Sequence, residues 1–196
     1  MDRAEERKLI RRAAAGDKQA AGECIRAYQG QLYAYILRLS GRPDIAEDIV
    51  QEAFVRVLTN LDRFDDRYRF STWLFTIARR LYVNAMQKLK PVYESDIVGS
   101  WQGNGSLPEH GTIGAEVATN ARSELERALQ QLPPEQREVV VLFHQFDWPI
   151  ARISQHMEMP EGTVKSHLHR GRKRLRSMLE ASERATERIG EVWGDS

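Results

Sequence analysis

The 196-residue sequence has a single cysteine, Cys24, so no internal disulfide is available and nothing in its thiol content points to an oxidising compartment. No apolar run approaches the roughly 20 residues that a membrane-spanning helix needs. The start, Met1-Asp2-Arg3-Ala4-Glu5-Glu6, lacks an apolar segment behind it, so it does not read as a signal peptide. These absences lead to the expectation of a cytoplasmic protein without membrane insertion. Sustained two-residue alternation is missing too, which excludes a half-buried sheet. There is no Gly-rich phosphate loop, no cysteine or histidine set at metal-ligand spacing and no nucleophile–base pair. The expectation is therefore a non-enzyme with no catalytic residue, no metal, no cofactor and no small-molecule substrate.

Net charge is only +1, but it is unevenly spread. Residues 1–90 hold 17 Lys/Arg against 12 Asp/Glu, whereas residues 91–120 hold no Lys or Arg and four acids, Glu94, Asp96, Glu109 and Glu116. Residues 121–196 hold 12 of each sign, yet Gly162–Arg176 carries Lys165, Arg170, Arg172, Lys173, Arg174 and Arg176 with no acid among them. A protein that binds DNA unaided usually has a larger basic excess. This one is expected to act with a partner.

Apolar residues recur at helical spacing nearly throughout, so the fold class is all-α. The exception is 91–120, where Gly99, Gly103, Gly105, Pro108, Gly111 and Gly114 rule out a continuous helix or strand. That stretch reads as a flexible acidic linker between two helical domains, at 1–90 and 121–180, followed by a polar tail at 181–196. In the first domain, Gly41 ends one helix, and Asp44 with Glu47 fits a capping box for the next. The following helix is expected to bury Ala46, Ile49, Val50, Ala53, Phe54, Val57 and Leu58, with Leu61 beyond. Asp48, Gln51 and Glu52 share its outer face. After a break at 62–70, Ser71 suits the cap of a helix running to about Lys90. In the second domain, Pro133-Pro134 separates two helices, the latter carrying Val139–Phe143. A short helix at Ile150–Met157, a break at Glu158-Met159-Pro160 and a long helix from Glu161 to Leu179 complete the chain.

Three constellations carry chemistry. The last helix pair has the form of a helix-turn-helix. Val164, Leu168, Leu175 and Leu179 form the inward stripe, and Thr163, Lys165, Ser166, His169 and Arg170 the outward face, suited to base edges in the major groove. Arg172, Lys173 and Arg176 suit phosphates, which position without specifying sequence. A solvated basic face explains the same run equally well when it is taken alone. The second constellation, Asp62 to Phe70, alternates aromatic and basic residues. Aromatic faces stack on unpaired bases while guanidinium groups hold the backbone. Thr76, Arg80, Asn84 and Gln87 extend it as a polar helical face, although Phe64, Tyr68 and Phe70 also suit simple packing beneath a loop. The third, Asp48/Gln51/Glu52, lacks any partner for acid–base chemistry and suits docking on a basic protein surface. Cys24, beside Ile25 and Tyr28, is most simply a small core residue. His167 and His169 lie two apart on a helix and cannot share a metal.

These residues resemble a known family. Ile45-Ala46-Glu47-Asp48-Ile49-Val50-Gln51-Glu52-Ala53-Phe54 is similar to the DAEDxxQExF-like signature of sigma region 2, and Phe70-Ser71-Thr72-Trp73-Leu74-Phe75-Thr76-Ile77-Ala78-Arg79 to the FxxWLxxIAR segment that follows it. Leu132-Pro133-Pro134-Glu135-Gln136-Arg137-Glu138-Val139 resembles the LPxxxRxV start of region 4, and Pro160–Arg172 its recognition helix. Order and spacing point to the extracytoplasmic-function (ECF) sigma factors of the sigma-70 family. The resemblance implies a factor that binds bacterial RNA polymerase core and directs promoter-specific initiation. Asp48, Gln51 and Glu52 are then expected on the largest polymerase subunit, and Val139 and Phe143 on the flap of the other large subunit. Tyr68, Phe70, Ser71, Thr72, Trp73, Arg80 and Asn84 are expected at the −10 element. Thr163, Lys165, Ser166, His169, Arg170, Arg172 and Lys173 are expected at the −35 element. An anti-sigma factor is the expected regulator, and the acidic linker is expected to thread polymerase channels that otherwise hold nucleic acid. The chain departs from the family pattern at Arg80, usually Asn, at Arg152, usually Glu, at Glu158, usually Gly, and at His167, often Arg. Those departures bear on promoter sequence, not on class. An operator-binding regulator would explain Gly162–Arg176 but leaves the acidic face and the 62–87 surface without a purpose. A pure protein adaptor would not need the basic helix.

Overall fold

The structure, a computed structural model, describes the backbone of residues 2–89 and 115–193 and the side chains of residues 2–88 and 122–182. Every regular element among the described residues is helical, as the periodicity requires. The chain divides into two compact units, Met1–Asn104 and Gly105–Ser196.

The first unit packs α1 (Arg3–Ala14), α2 (Lys18–Ser40), α3 (Pro43–Thr59) and α4 (Phe70–Leu89), with a 3-10 turn at Leu61–Arg63. Asp17 starts α2: its Oδ1 accepts from the N–H groups of Gln19 at 2.9 Å and Ala20 at 3.0 Å. Those bonds, with the Arg12 guanidinium, hold its carboxyl below the usual range. Gly41, left-handed at φ 66°, ends α2 as expected. The core is built on α2, where Leu32, Tyr35 and Ile36 are fully buried, and Tyr35 lies 4.9 Å from the ring of Phe75 on α4. On α3, Ala46, Ile49, Val50, Ala53, Phe54 and Val57 are buried, and Leu58 is half-buried. Cys24 is fully buried, and burial, reinforced by Glu6, pushes its thiol up to about 12.

Two boundaries differ from the sequence reading. Helix α3 begins at Pro43 after Arg42, with no side-chain cap bond, and Asp44 pairs with Arg42 instead of capping. Pro43 explains this: its missing N–H and fixed φ favour the first helical position, so Asp44 falls inside the helix. Helix α4 starts at Phe70, with the N–H groups of Thr72 and Trp73 directed at the Arg69 carbonyl, so its cap position is two residues ahead of the expected Ser71.

The second unit contains α5 (Ala115–Gln130), α6 (Pro134–His144), α7 (Ile150–Met157) and α8 (Glu161–Trp193). Helix α5 begins six residues inside the stretch assigned to the linker, because Ala115-Glu116-Val117-Ala118 follows Gly114 without a breaker; the rest of the expected linker lies outside the described residues. Helix α8 likewise continues to Trp193 where a polar tail was expected at 181–196, since no Gly or Pro intervenes between Leu179 and Gly190. Ser182 on α8 donates to Glu124 on α5 at 3.0 Å. Leu129, Leu132, Val139, Leu142, Ile153, Met157, Val164, Leu168 and Leu175 form the core of this unit.

Candidate nucleic-acid interface

Between α3 and α4 the chain turns through Leu61–Arg63 with Leu61 buried beneath it. Phe64 then packs edge-on to Phe70 at 5.5 Å and against Trp73 at 5.2 Å, and Phe70 meets Tyr28 of α2 at 5.3 Å. Phe70 is fully buried, so it is a core residue and not the base-contacting one expected. Its position at the first turn of α4 aims the ring at α2. Tyr68 is the opposite case, 61% exposed in the same loop. Two aromatics of the loop and the half-buried Trp73 thus make a small cluster, and one aromatic faces solvent. Asp65 and Arg67 pair within the loop at 2.6 Å, and Arg67 holds the Asp65 carboxyl below its ordinary range.

Ser71 and Thr72, with Trp73, are half-buried along the first turn of α4. Thr76 donates to the Thr72 carbonyl at 2.8 Å. Arg80 and Asn84, four apart, are exposed on one face. The loop from Asp65 to Tyr68 is also gripped from α1. Arg3 Nη2 donates to the Arg67 carbonyl at 2.7 Å, Arg7 Nε to the Asp66 carbonyl at 3.1 Å, and Arg11 Nη2 meets Asp66 Oδ2 at 2.6 Å. The sequence reading missed these arginines, although their spacing of four was a visible signal of a common face.

On α3, Asp48, Gln51 and Glu52 are exposed together as expected, and Glu52 is bridged to Arg56 at 2.6 Å. Val55, 60% exposed, continues the same face at the next helical step and was also missed. Gln51 lines a shallow groove with Arg26, Gln29, Tyr33 and Glu47.

In the second unit, α7 and α8 form the expected helix-turn-helix. Glu158, where the family pattern usually has Gly, ends α7 in the left-handed region, φ 56°, ψ 40°. Ser154 locks the turn, its carbonyl accepting from Met159 N–H at 3.1 Å and its hydroxyl donating to the Met159 carbonyl at 2.6 Å. Thr163, Lys165, Ser166, His169, Arg170, Arg172 and Lys173 are all exposed along α8, while Val164, Leu168 and Leu175 are buried and Leu179 is half-buried. Gly171 completes the inward stripe.

Helix α6 supports that pair. Val139 is fully buried, so it is a core residue and not an exposed docking contact; its face of α6 is the one turned into the unit. Phe143 is half-buried, with the Arg172 guanidinium 5.0 Å above its ring, and Arg172 Nε donates to His144 Nε2 at 2.8 Å. Burial first, then the Arg172 charge, pushes the His144 imidazole below its ordinary value, against the opposing pull of Asp147. Buried His156 of α7 meets buried Glu138 of α6 at 3.3 Å and packs edge-on to Trp148 at 5.2 Å. Arg152 lies 3.5 Å from the centroid of Trp148, which accounts for a cation at that position of α7. No group of three or more metal-ligating side chains exists among the described residues, and no described helix is long and apolar enough to cross a membrane.

Residues 24–91 match the family model for sigma-70 region 2, and residues 122–175 that for sigma-70 region 4. The chain is 33% identical over 183 residues to the ECF RNA polymerase sigma factor SigW of Bacillus subtilis, covering 88% of this chain and 96% of SigW. Among solved structures, CnrH bound to the cytosolic domain of CnrY superposes with a TM-score of 0.65 at 24% identity, over 90% of this chain and 97% of CnrH. The sigma factor RpoE of Bartonella quintana, solved with the anti-sigma factor NepR, gives 0.62 at 24% identity over 81% and 96% of the two chains; both likenesses speak to fold. With region 2 and region 4 matched in order and SigW aligned almost end to end, this chain belongs to the ECF sigma factors of the sigma-70 family.

Proposed function

We propose that this chain binds bacterial RNA polymerase core and directs it to promoters, opening the −10 element with one unit and reading the −35 element with the other. The observation that carries the reading is the split among loop aromatics: Phe64 and Phe70 pack inward while Tyr68 stands 61% exposed, and the helix that follows the loop exposes Arg80 and Asn84. A solvent-facing ring suits stacking on an unpaired base, and a cation and an amide exposed farther along α4 suit the adjoining strand. Tyr68, Arg80 and Asn84, with the half-buried Ser71, Thr72 and Trp73, form the −10 surface in this reading.

Thr163, Lys165, Ser166, His169 and Arg170 read base edges at −35, and Lys173 contacts phosphate. Asp48, Gln51 and Glu52 dock on a basic surface of the largest polymerase subunit, with Val55 as an apolar anchor, and Phe143 lies against the other large subunit. Residues 1–90 serve as region 2, 91–114 as the acidic connection and 115–180, from the start of α5, as region 4. Catalysis stays with the polymerase, so the chain is not an enzyme and uses no cofactor. It works in the cytoplasm and is restrained by an anti-sigma factor.

The test is run-off transcription over genomic promoter fragments, with and without sigma-free core polymerase. Discrete transcripts that require both proteins, with weak duplex binding by the chain alone, are expected. Tight specific duplex binding without core, and no core-dependent transcript, would instead favour an operator-binding regulator.

A further inference from the structure

We propose that α1 belongs to the promoter-reading apparatus, with Arg3, Arg7 and Arg11 acting as positioning residues that fix the loop Asp65–Tyr68 before DNA arrives. The inference rests on the reading above, that this loop meets the −10 element. Helix α1 lies outside the residues that match the family model, which begin at 24.

The loop is anchored at its two ends by apolar groups, Leu61 and Phe64 on one side and Phe70 on the other. Its middle, Asp65-Asp66-Arg67, has no apolar side chain to bury. Within the loop, Asp65 accepts from the Arg67 N–H at 3.0 Å and pairs with its guanidinium, and the tie to the rest of the unit comes from α1. Two successive carbonyls, those of Asp66 and Arg67, and the Asp66 carboxylate are each taken by a different arginine. Bonds from a charged donor are stronger than neutral ones, and three of them on one turn restrict it more than any single exposed pair. The platform itself is fixed: Leu9, Ile10 and Ala13 are buried against the unit, and buried Glu6 accepts a hydrogen bond from the Tyr28 hydroxyl. Tyr28 in turn packs against Phe70, the two rings tilted by 56°. One side of α1 is thus tied to the floor of the loop and the other to its crown, immediately before the exposed Tyr68. A loop ordered in advance avoids the entropic cost of being ordered on binding.

The experiment uses the full chain with core polymerase on a promoter fragment that yields a run-off transcript. Strand opening is followed by permanganate reactivity of −10 thymines, core affinity by fluorescence anisotropy, and folding by thermal unfolding. Arg7→Ala/Arg11→Ala is expected to slow opening about tenfold, with core affinity and unfolding midpoint close to wild type. Arg11→Asp is expected to slow it, and the exchange Arg11→Asp/Asp66→Arg to restore most of the loss, which a general stabilising role of α1 would not produce. Tyr68→Ala serves as the reference for the loop itself. If Tyr68→Ala slows opening while the arginine variants stay within twofold of wild type, the positioning role is overturned and the −10 reading stands. A loss of opening that tracks loss of core affinity also overturns it. If Tyr68→Ala has no effect either, the −10 reading of the loop fails, and the inference with it.

Discussion

A Cβ added to Gly171 on α8 would stand 2.7 Å from Cγ2 of Val140 on α6 and 3.4 Å from the Gln136 carbonyl oxygen. Val140 is buried, so it has no solvent to retreat into. Glycine at this place lets the DNA-reading helix lie directly on its support. In an exposed helix interior alanine would be favoured over glycine by about 1 kcal/mol. Here the overlap reverses the sign, and Gly171→Ala is expected to destabilise the second unit by about 1–2 kcal/mol in urea unfolding. Adding Val140→Ala to that variant should recover part of the loss. A more stable Gly171→Ala protein would mean that α6 and α8 do not approach this closely.

Glu158 offers the opposite experiment. A side chain in the left-handed region costs about 1–2 kcal/mol, and glycine there returns about 0.5–1 kcal/mol to unfolded-chain entropy. Glu158→Gly is therefore expected to stabilise by about 0.5–1 kcal/mol, read as a higher unfolding midpoint. Ser154→Ala should act in the other direction, by about 1 kcal/mol, because the hydroxyl bond to the Met159 carbonyl is lost. Equal or lower stability of the glycine variant would show that the Ser154-locked turn carries no strain.

Much of the fold was legible because its punctuation is local. Gly41, Pro133-Pro134 and Pro160 mark helix ends, and the apolar spacing from Ala46 to Val57 names the buried face of α3. The outer faces of α3 and α8 followed from the same periodicity. What local pattern does not settle is the direction in which a loop aromatic turns: Phe70 and Tyr68 are two residues apart, yet one is core and the other exposed. Val139 went wrong for a related reason, since an unbroken apolar run hides which of its members faces outward. The arginine contacts from α1 span 55 to 64 residues, so only their common face was readable, not their target.

Cys24 should be chemically silent while the chain is folded. Burial, with Glu6 adding to it, raises its thiol to about 12, and the thiolate is the reactive form. Labelling by an aromatic disulfide reagent at pH 8 is expected to be at least about a hundredfold slower in native buffer than in urea. Because the unfolded thiol ionises first, this group also withdraws stability as pH rises above its unfolded value near 9.0. Native labelling within tenfold of the unfolded rate would place Cys24 in an accessible, reactive setting instead of the core.

Arg172 and His144 bring pH and DNA contact together. The His144 imidazole is held below its ordinary value of 6.5 by burial and by Arg172. In the window between the folded and unfolded values the unfolded chain binds more protons, so this group's contribution to stability is full above 6.5 and is lost as pH falls below it. His144→Gln should therefore flatten part of the acid-side loss of stability, measured as urea midpoints between pH 5 and 7. The same pair sets what Arg172 does on DNA. Above pH 7 its Nε donates to neutral His144 and its guanidinium covers Phe143, which holds it on α6. Lys173, exposed on α8 like Arg172, makes no corresponding contact with His144 or Phe143. With holoenzyme on a promoter fragment at pH 7.5, Lys173→Ala is expected to reduce the slope of log affinity against log salt by about one, and Arg172→Ala by clearly less. Replacing His144 with alanine frees Arg172, so a subsequent Arg172→Ala change should then reduce the slope as Lys173→Ala does. Equal slope changes for the two single variants at pH 7.5 would mean that Arg172 reaches phosphate despite its partners on α6, and that the His144 bond does not govern it.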